Sequence, residues 1–196
     1  MKTRSRFSVG SLALFGAVAV AVTSASCSMD PVHAAAVNAL GPEVAGVPQG
    51  EYHRAGQPCA VCHGPEGPAK TTFTVAGTVF YGPTKAIGVD NVQVIMADWK
   101  SSFTAYTDCV GNFFVTSDQW NPDFPIEVQI AKDNGGPVRM LSHIGREPSC
   151  GNCHKDPPYY DSQGHIHLVT QAVEDMNQYS PPPCPVNPVQ TSGGGM

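Results

Sequence analysis

Two pentapeptides, Cys59-Ala60-Val61-Cys62-His63 and Cys150-Gly151-Asn152-Cys153-His154, constrain this chain more than any other feature. Each is a CxxCH. Two thiols three positions apart on a tight turn reach the two vinyl groups on one edge of a porphyrin and form thioethers. The histidine that follows then lies under the iron as an axial ligand. With 7 Cys and 7 His among 196 residues, two independent chance matches are a poor account. The spacing therefore predicts two covalent c-type haems, one on Cys59, Cys62 and His63 and one on Cys150, Cys153 and His154. His63 and His154 are the expected proximal iron ligands. Two other readings are a zinc site built from two CxxC pairs, and four cysteines in disulfides. Zinc pairs do not call for a histidine after each second cysteine, and thiolate zinc is less usual in an exported chain.

Export is read from residues 1–26. Lys2, Arg4 and Arg6 make a basic start, and the apolar run 9–22 is too short and too rich in Ala and Gly for a comfortable membrane span. Small residues follow, as in a secretory leader. Ser24-Ala25-Ser26-Cys27 resembles a bacterial lipobox, with Ser24 where a Leu is usual. Cys27 is thus the expected lipidation site, with ordinary cleavage near Ala25 as the alternative. The expected location is the periplasm, outer membrane or cell surface of a bacterium, held by a lipid anchor.

Losing the leader removes three of the 11 basic residues and none of the 16 acidic ones, leaving eight against sixteen, a net charge of −8. That balance excludes binding to nucleic acid phosphates and offers no basic patch for an anionic membrane surface. Redox partner proteins with basic or neutral docking surfaces are favoured instead. Of the seven cysteines, one is assigned to lipid and four to haem. Cys109 and Cys184 remain as a candidate disulfide that would tie the Pro-rich tail to the middle of the chain. Two free thiols, or a bridge from Cys27, are the alternatives.

Residues 27–50 read as a tether with a short helix near 34–40 and His33 in solvent. A first haem-binding segment is expected over 51–71, a β-sandwich over 72–140, a second haem-binding segment over 141–180, and a Pro- and Gly-rich tail over 181–196. Runs 73–81, 91–96, 102–107, 113–116, 125–132 and 137–140 alternate as short strands separated by turn signals, which argues a small antiparallel sandwich. A short helix is expected over 168–176, with Leu168, Ala172 and Val173 on its inner face and Glu174 outside. Asp98, Asp108, Asp118 and Asp123 lack the spacing of a calcium-binding EF-hand loop and read as solvated turn acids.

Gly77-Thr78-Val79, the alternation Val92-Gln93-Val94, and Thr107-Asp108-Cys109-Val110-Gly111-Asn112-Phe113 follow one another in the order seen in the carboxypeptidase regulatory-like, transthyretin-like β-sandwich. Residues 72–140 resemble that family, whose members are commonly non-catalytic accessory modules. With a CxxCH at either edge, the whole chain resembles the exported dihaem and multihaem cytochromes of environmental bacteria. The resemblance implies a mainly β fold of immunoglobulin- or transthyretin-like type, flanked by loop-rich c-type haem-binding segments.

The surroundings of the two motifs look like a short internal repeat. His53 and His143 each precede the first cysteine by six or seven residues, with Gly, Arg and Pro between. Both are candidate distal iron ligands, the alternative being hydrogen bonds to a propionate or a loop carbonyl. The pairing is open, each serving its own haem or the other. His165, His167, Met96, Met140 and Met176 are further candidates, with Met96 read as core. The expected function is electron transfer. One alternative is a surface-binding or sensory module with structural haems, using Trp99, Trp120, Tyr159 and Tyr160 as contacts. The other is a dihaem peroxidase-like enzyme recruiting Glu147 or His143.

Overall fold

The structure, a computed structural model, describes residues 30–42, 50–133, 135–155 and 162–185. The expected leader, Cys27, Tyr159, Tyr160 and the chain beyond 185 lie outside the described residues. Alternating side chains set the strands β1 (Phe73–Thr78), β2 (Gln93–Ala97), β3 (Ser102–Tyr106), β4 (Asn112–Thr116), β5 (Glu127–Ala131) and β6 (Val138–Arg139). In β2, Val94 and Met96 are fully buried while Gln93 is exposed. The strands pair antiparallel in a two-stranded sheet, β1-β4, and a four-stranded sheet ordered β3-β2-β5-β6. The protein is mainly β with few helices. Val75, Phe113 and Val115 of the first sheet share a core with Val94, Met96, Ala105 and Ile130 of the second, as a small sandwich requires.

The expected strand 73–81 ends at Thr78 because its later backbone is divided among other partners. Val79 N–H donates to Gly111 O and Phe80 N–H to Ile166 O, both at 2.8 Å. Ala76 N–H likewise donates to Pro148 O at 2.8 Å. The C-terminal third of the chain thus returns along β1, bringing the second CxxCH to the strand that follows the first.

The turn into β4 explains its sequence. Asp108 Oδ1 accepts from the Val110 and Asn112 N–H groups, both at 2.9 Å, closing the loop on itself. Gly111 has φ +83°, and a Cβ there would stand 2.2 Å from Val79 O. Burial pushes the Asp108 carboxyl up to about 6 in spite of those donors. Asp98 Oδ2 accepts from Asp123 N–H and its Oδ1 from Lys100 N–H and Ser101 N–H, which together hold its carboxyl well down. Among the described residues no three His, Cys, Asp or Glu are placed to hold one metal ion.

Three helices flank the sheets: α1 (Pro31–Ala39), α2 (Ala60–His63) and α3 (Gln171–Met176). Asp30 caps α1 by accepting from His33 N–H, with Pro31 at its first turn. Residues 30–42 of the stretch expected as a tether are folded onto the first haem-binding segment. His33 Nε2 donates to Val61 O at 2.7 Å, and Arg54 reaches Gly41 O at 3.0 Å. Cys109 and Cys184 form a disulfide, while Cys59, Cys62, Cys150 and Cys153 are free thiols.

Helix α3 turns inward a residue expected outside. Glu174 is 1 % exposed, Ala172 is exposed, and Met176 is 74 % exposed. The Glu174 carboxylate accepts from Thr84 Oγ1 at 2.6 Å, Thr84 N–H at 3.1 Å and Lys85 N–H at 2.8 Å. Gly82 lets it in, since a Cβ there would lie 2.2 Å from Glu174 Cδ. Burial works to raise the carboxyl's pKa, and the Thr84 and Lys85 donors outweigh it, so the net shift is downward. A depressed carboxylate stabilises the fold above its unfolded pKa and loses that contribution as pH falls through the folded value. Glu174→Gln sets an amide N–H₂ against these donors and is expected to cost about 1–3 kcal/mol at pH 7. Urea unfolding of wild type and variant should show that gap narrowing as pH falls below the ordinary carboxylate range; a gap independent of pH would contradict this account.

Candidate functional site around the paired CxxCH turns

Each motif folds as one helical turn. His63 N–H donates to Cys59 O and His154 N–H to Cys150 O, both at 2.8 Å. Each is then followed by a loop that comes back over the turn. Ala69 N–H donates to Cys62 O at 3.0 Å, and Gln163 N–H donates to Cys153 O at 2.8 Å. Gly67 permits the first return, because a Cβ there would lie 2.0 Å from Cys62 O.

The returning loop presents a carbonyl to the histidine in both cases. His63 Nδ1 is 2.8 Å from Thr71 O, and His154 Nδ1 is 2.9 Å from Gly164 O. A carbonyl only accepts, so Nδ1 carries the proton and Nε2 keeps its lone pair. A backbone carbonyl on the far ring nitrogen is how proteins commonly orient a metal-binding imidazole. Burial lowers the His63 pKa, outweighing the Thr71 carbonyl that raises it, with His53 adding to the downward shift, which favours the neutral ring.

The motifs lie back to back. A Cβ on Gly151 would stand 2.7 Å from Gln57 O and 2.9 Å from Pro58 N, so the second turn seats directly on the approach to the first. Gly77 of β1 accommodates Cys150, its would-be Cβ lying 2.7 Å from Cys150 Cβ. Burial pushes the Cys59 thiol up to about 11 and the Cys150 thiol up to about 12, each also raised by a neighbouring cysteine. At neutral pH both are protonated thiols.

A cavity of about 260 Å³ opens beside the first motif. Cys59, Cys62, His63, His53, Phe73 and Phe114 line it. Phe73 stacks on His63 with centroids 4.1 Å apart and on Phe114 at 4.8 Å. The His53 and His63 rings face each other, centroids 5.9 Å apart and planes 23° apart. His53 Nδ1 lies within hydrogen-bond reach of both Gly50 O and Gly50 N–H. Leu40, just beyond α1, closes one end of the cavity.

His143 stands elsewhere. It is exposed on the four-stranded sheet, its Nε2 3.3 Å from Glu127 Oε1, beside the Ile126–Ile144 bridge. His165 is buried and stacks on Phe80 at 4.1 Å, and His167 Nδ1 is 2.8 Å from Val169 O. Met96 is core. Trp120, expected as an exposed contact, is 8 % exposed and donates from Nε1 to Ser101 Oγ at 2.9 Å. Trp99 is 75 % exposed at the β2–β3 turn, with Lys100 Nζ over its ring at 4.4 Å. Asn112, not singled out from the sequence, pins the loop that carries His53. Comparison with family models, curated proteins and solved structures found no match to this chain.

Proposed function

We propose that this chain is an exported c-type cytochrome that carries two covalent haems and transfers electrons at the cell envelope. The observation that carries the reading is the recurrence at both motifs of one arrangement: a CxxCH turn, a returning loop, and a histidine whose Nδ1 is engaged by a carbonyl. The residues fit the group. Cys59, Cys62, Cys150 and Cys153 are free thiols available for thioethers, although the chain closes a disulfide where Cys109 and Cys184 meet. His63 and His154 offer Nε2. The haems supply one-electron chemistry, while the protein supplies position, burial and ligand orientation.

At the first motif, His53 is suited to the distal side. His53 and His63, with ring centroids 5.9 Å apart, are the two imidazoles that would hold the haem iron of the first motif. Within this reading the sheets form a transthyretin-like sandwich, residues 1–26 direct export, Cys27 takes the lipid, and basic or neutral redox proteins are the partners.

Exposed Trp99 favours, as a second reading, a surface-binding module with structural haems. The two readings separate spectroscopically. The carrier predicts six-coordinate low-spin haem in both oxidation states, unresponsive to peroxide and cyanide. A high-spin signal that shifts with either reagent would point to a peroxidase-like enzyme, and polymer binding that survives haem removal would point to the module.

A further inference from the structure

We propose that Asn112 is a positioning residue for His53: it holds the loop backbone so that the imidazole faces His63 across the cavity. The inference rests on the cytochrome reading and adds to it the residue that sets the distal side. Asn112 is 8 % exposed and opens β4, a strand position that polar Asn disfavours on propensity alone. Its side chain is nevertheless fully used. Nδ2 donates to His53 O at 3.0 Å and to Glu51 O at 3.3 Å, while Oδ1 accepts from Thr78 Oγ1 at 2.7 Å. The amide orientation follows from its partners, because carbonyls only accept.

Thr78 is Asn112's cross-strand partner on β1, and its Oγ1 also accepts from Gly56 N–H at 2.8 Å. The β1–β4 pair thus grips the 51–56 loop at three backbone points. That loop contains Arg54 at φ +54° and Gly56 at φ +80°, so it takes a tight path that few local contacts would maintain. Buried polar groups in such a network are satisfied together or lost together. Asn112 touches neither His63 nor the cysteines in any of its hydrogen bonds. Asn112 also lines the cavity, but its hydrogen bonds run to the 51–56 loop and Thr78, so its hold on the site is through His53.

The test uses the full chain, haem-loaded and haem-free. Asn112→Asp keeps the size and Oδ1 but turns a carboxylate oxygen toward two carbonyls. Asn112→Ala removes both functions, and Thr78→Ser keeps the hydroxyl. In the loaded protein, Asn112→Asp and Asn112→Ala are expected to give high-spin haem, as His53→Ala does, with added imidazole restoring the low-spin spectrum. Thr78→Ser should stay low-spin. In the haem-free chain, the NMR contact between the His53 and His63 rings should weaken in Asn112→Asp, which does not depend on haem loading. Low-spin Asn112 variants beside a high-spin His53→Ala would overturn the inference alone. A wild type that takes up no haem would overturn the proposed function, and an intact ring contact in Asn112→Asp would then overturn this inference independently.

Discussion

His53→Ala is expected to turn one of two haems from low to high spin, while His143→Ala leaves the spectrum unchanged. The two histidines look alike in sequence, each a few residues ahead of a CxxCH with Gly, Arg and Pro between. Their settings differ. His53 lines the cavity, faces His63 at 5.9 Å, and has its Nδ1 against the Gly50 backbone. His143 is on the outer face of the other sheet with Glu127 as its partner. Removing a trans imidazole leaves the iron five-coordinate or water-bound, which visible and EPR spectra report directly. The potential of that haem should also rise as a nitrogen ligand is lost. A low-spin spectrum in His53→Ala, or a high-spin haem in His143→Ala alone, would contradict the assignment of distal ligands.

Gly77→Val is expected to unseat the second motif. Valine suits a strand, so propensity alone would make this change harmless or helpful. The obstacle is contact. The first carbon added lies 2.7 Å from Cys150 Cβ, 2.9 Å from Cys150 Sγ and 3.1 Å from Phe113 Cε1. Cys150 has little freedom to retreat, since Gly151 already touches Gln57 and Pro58 and the preceding backbone bonds to Ala76. Overpacking of this kind costs about 1–3 kcal/mol, or roughly 2–4 °C in Tm for each kcal/mol in a chain of this size. Loading at Cys150 and Cys153 should fall while loading at Cys59 and Cys62 persists. An unchanged Tm with full occupancy at both motifs would show that the turns are not packed as described.

Much of the β architecture was legible because strands that bury one face must alternate. Val94 and Met96 go inside and Gln93 outside, and the turn residues Asp108 and Gly111 announce where β3 hands over to β4. The two motifs were legible because thioether chemistry fixes their spacing. What escaped depends on contacts between distant residues. Glu174 reads as a solvent residue on a short helix, yet its donors come from Thr84 and Lys85, about ninety positions earlier. Residues 30–42 read as a tether because their composition is bland, whereas α1 is anchored through His33 and Gly41 to groups of the first motif. The difference between His53 and His143 lies outside the local repeat altogether. Asn112 and Thr78 grip one loop, and Glu127 faces the other. Asn112 itself looked like an ordinary turn residue, and only its buried, satisfied amide marks it out.

The most direct test is the intact mass of the full chain matured with a cytochrome c assembly system, read together with its visible spectrum. The account predicts a mass increased by two haems, thioether links at Cys59, Cys62, Cys150 and Cys153, and sharp low-spin bands. A chain that leaves the same system with no haem attached, and with those four cysteines still free or paired with one another, would contradict it.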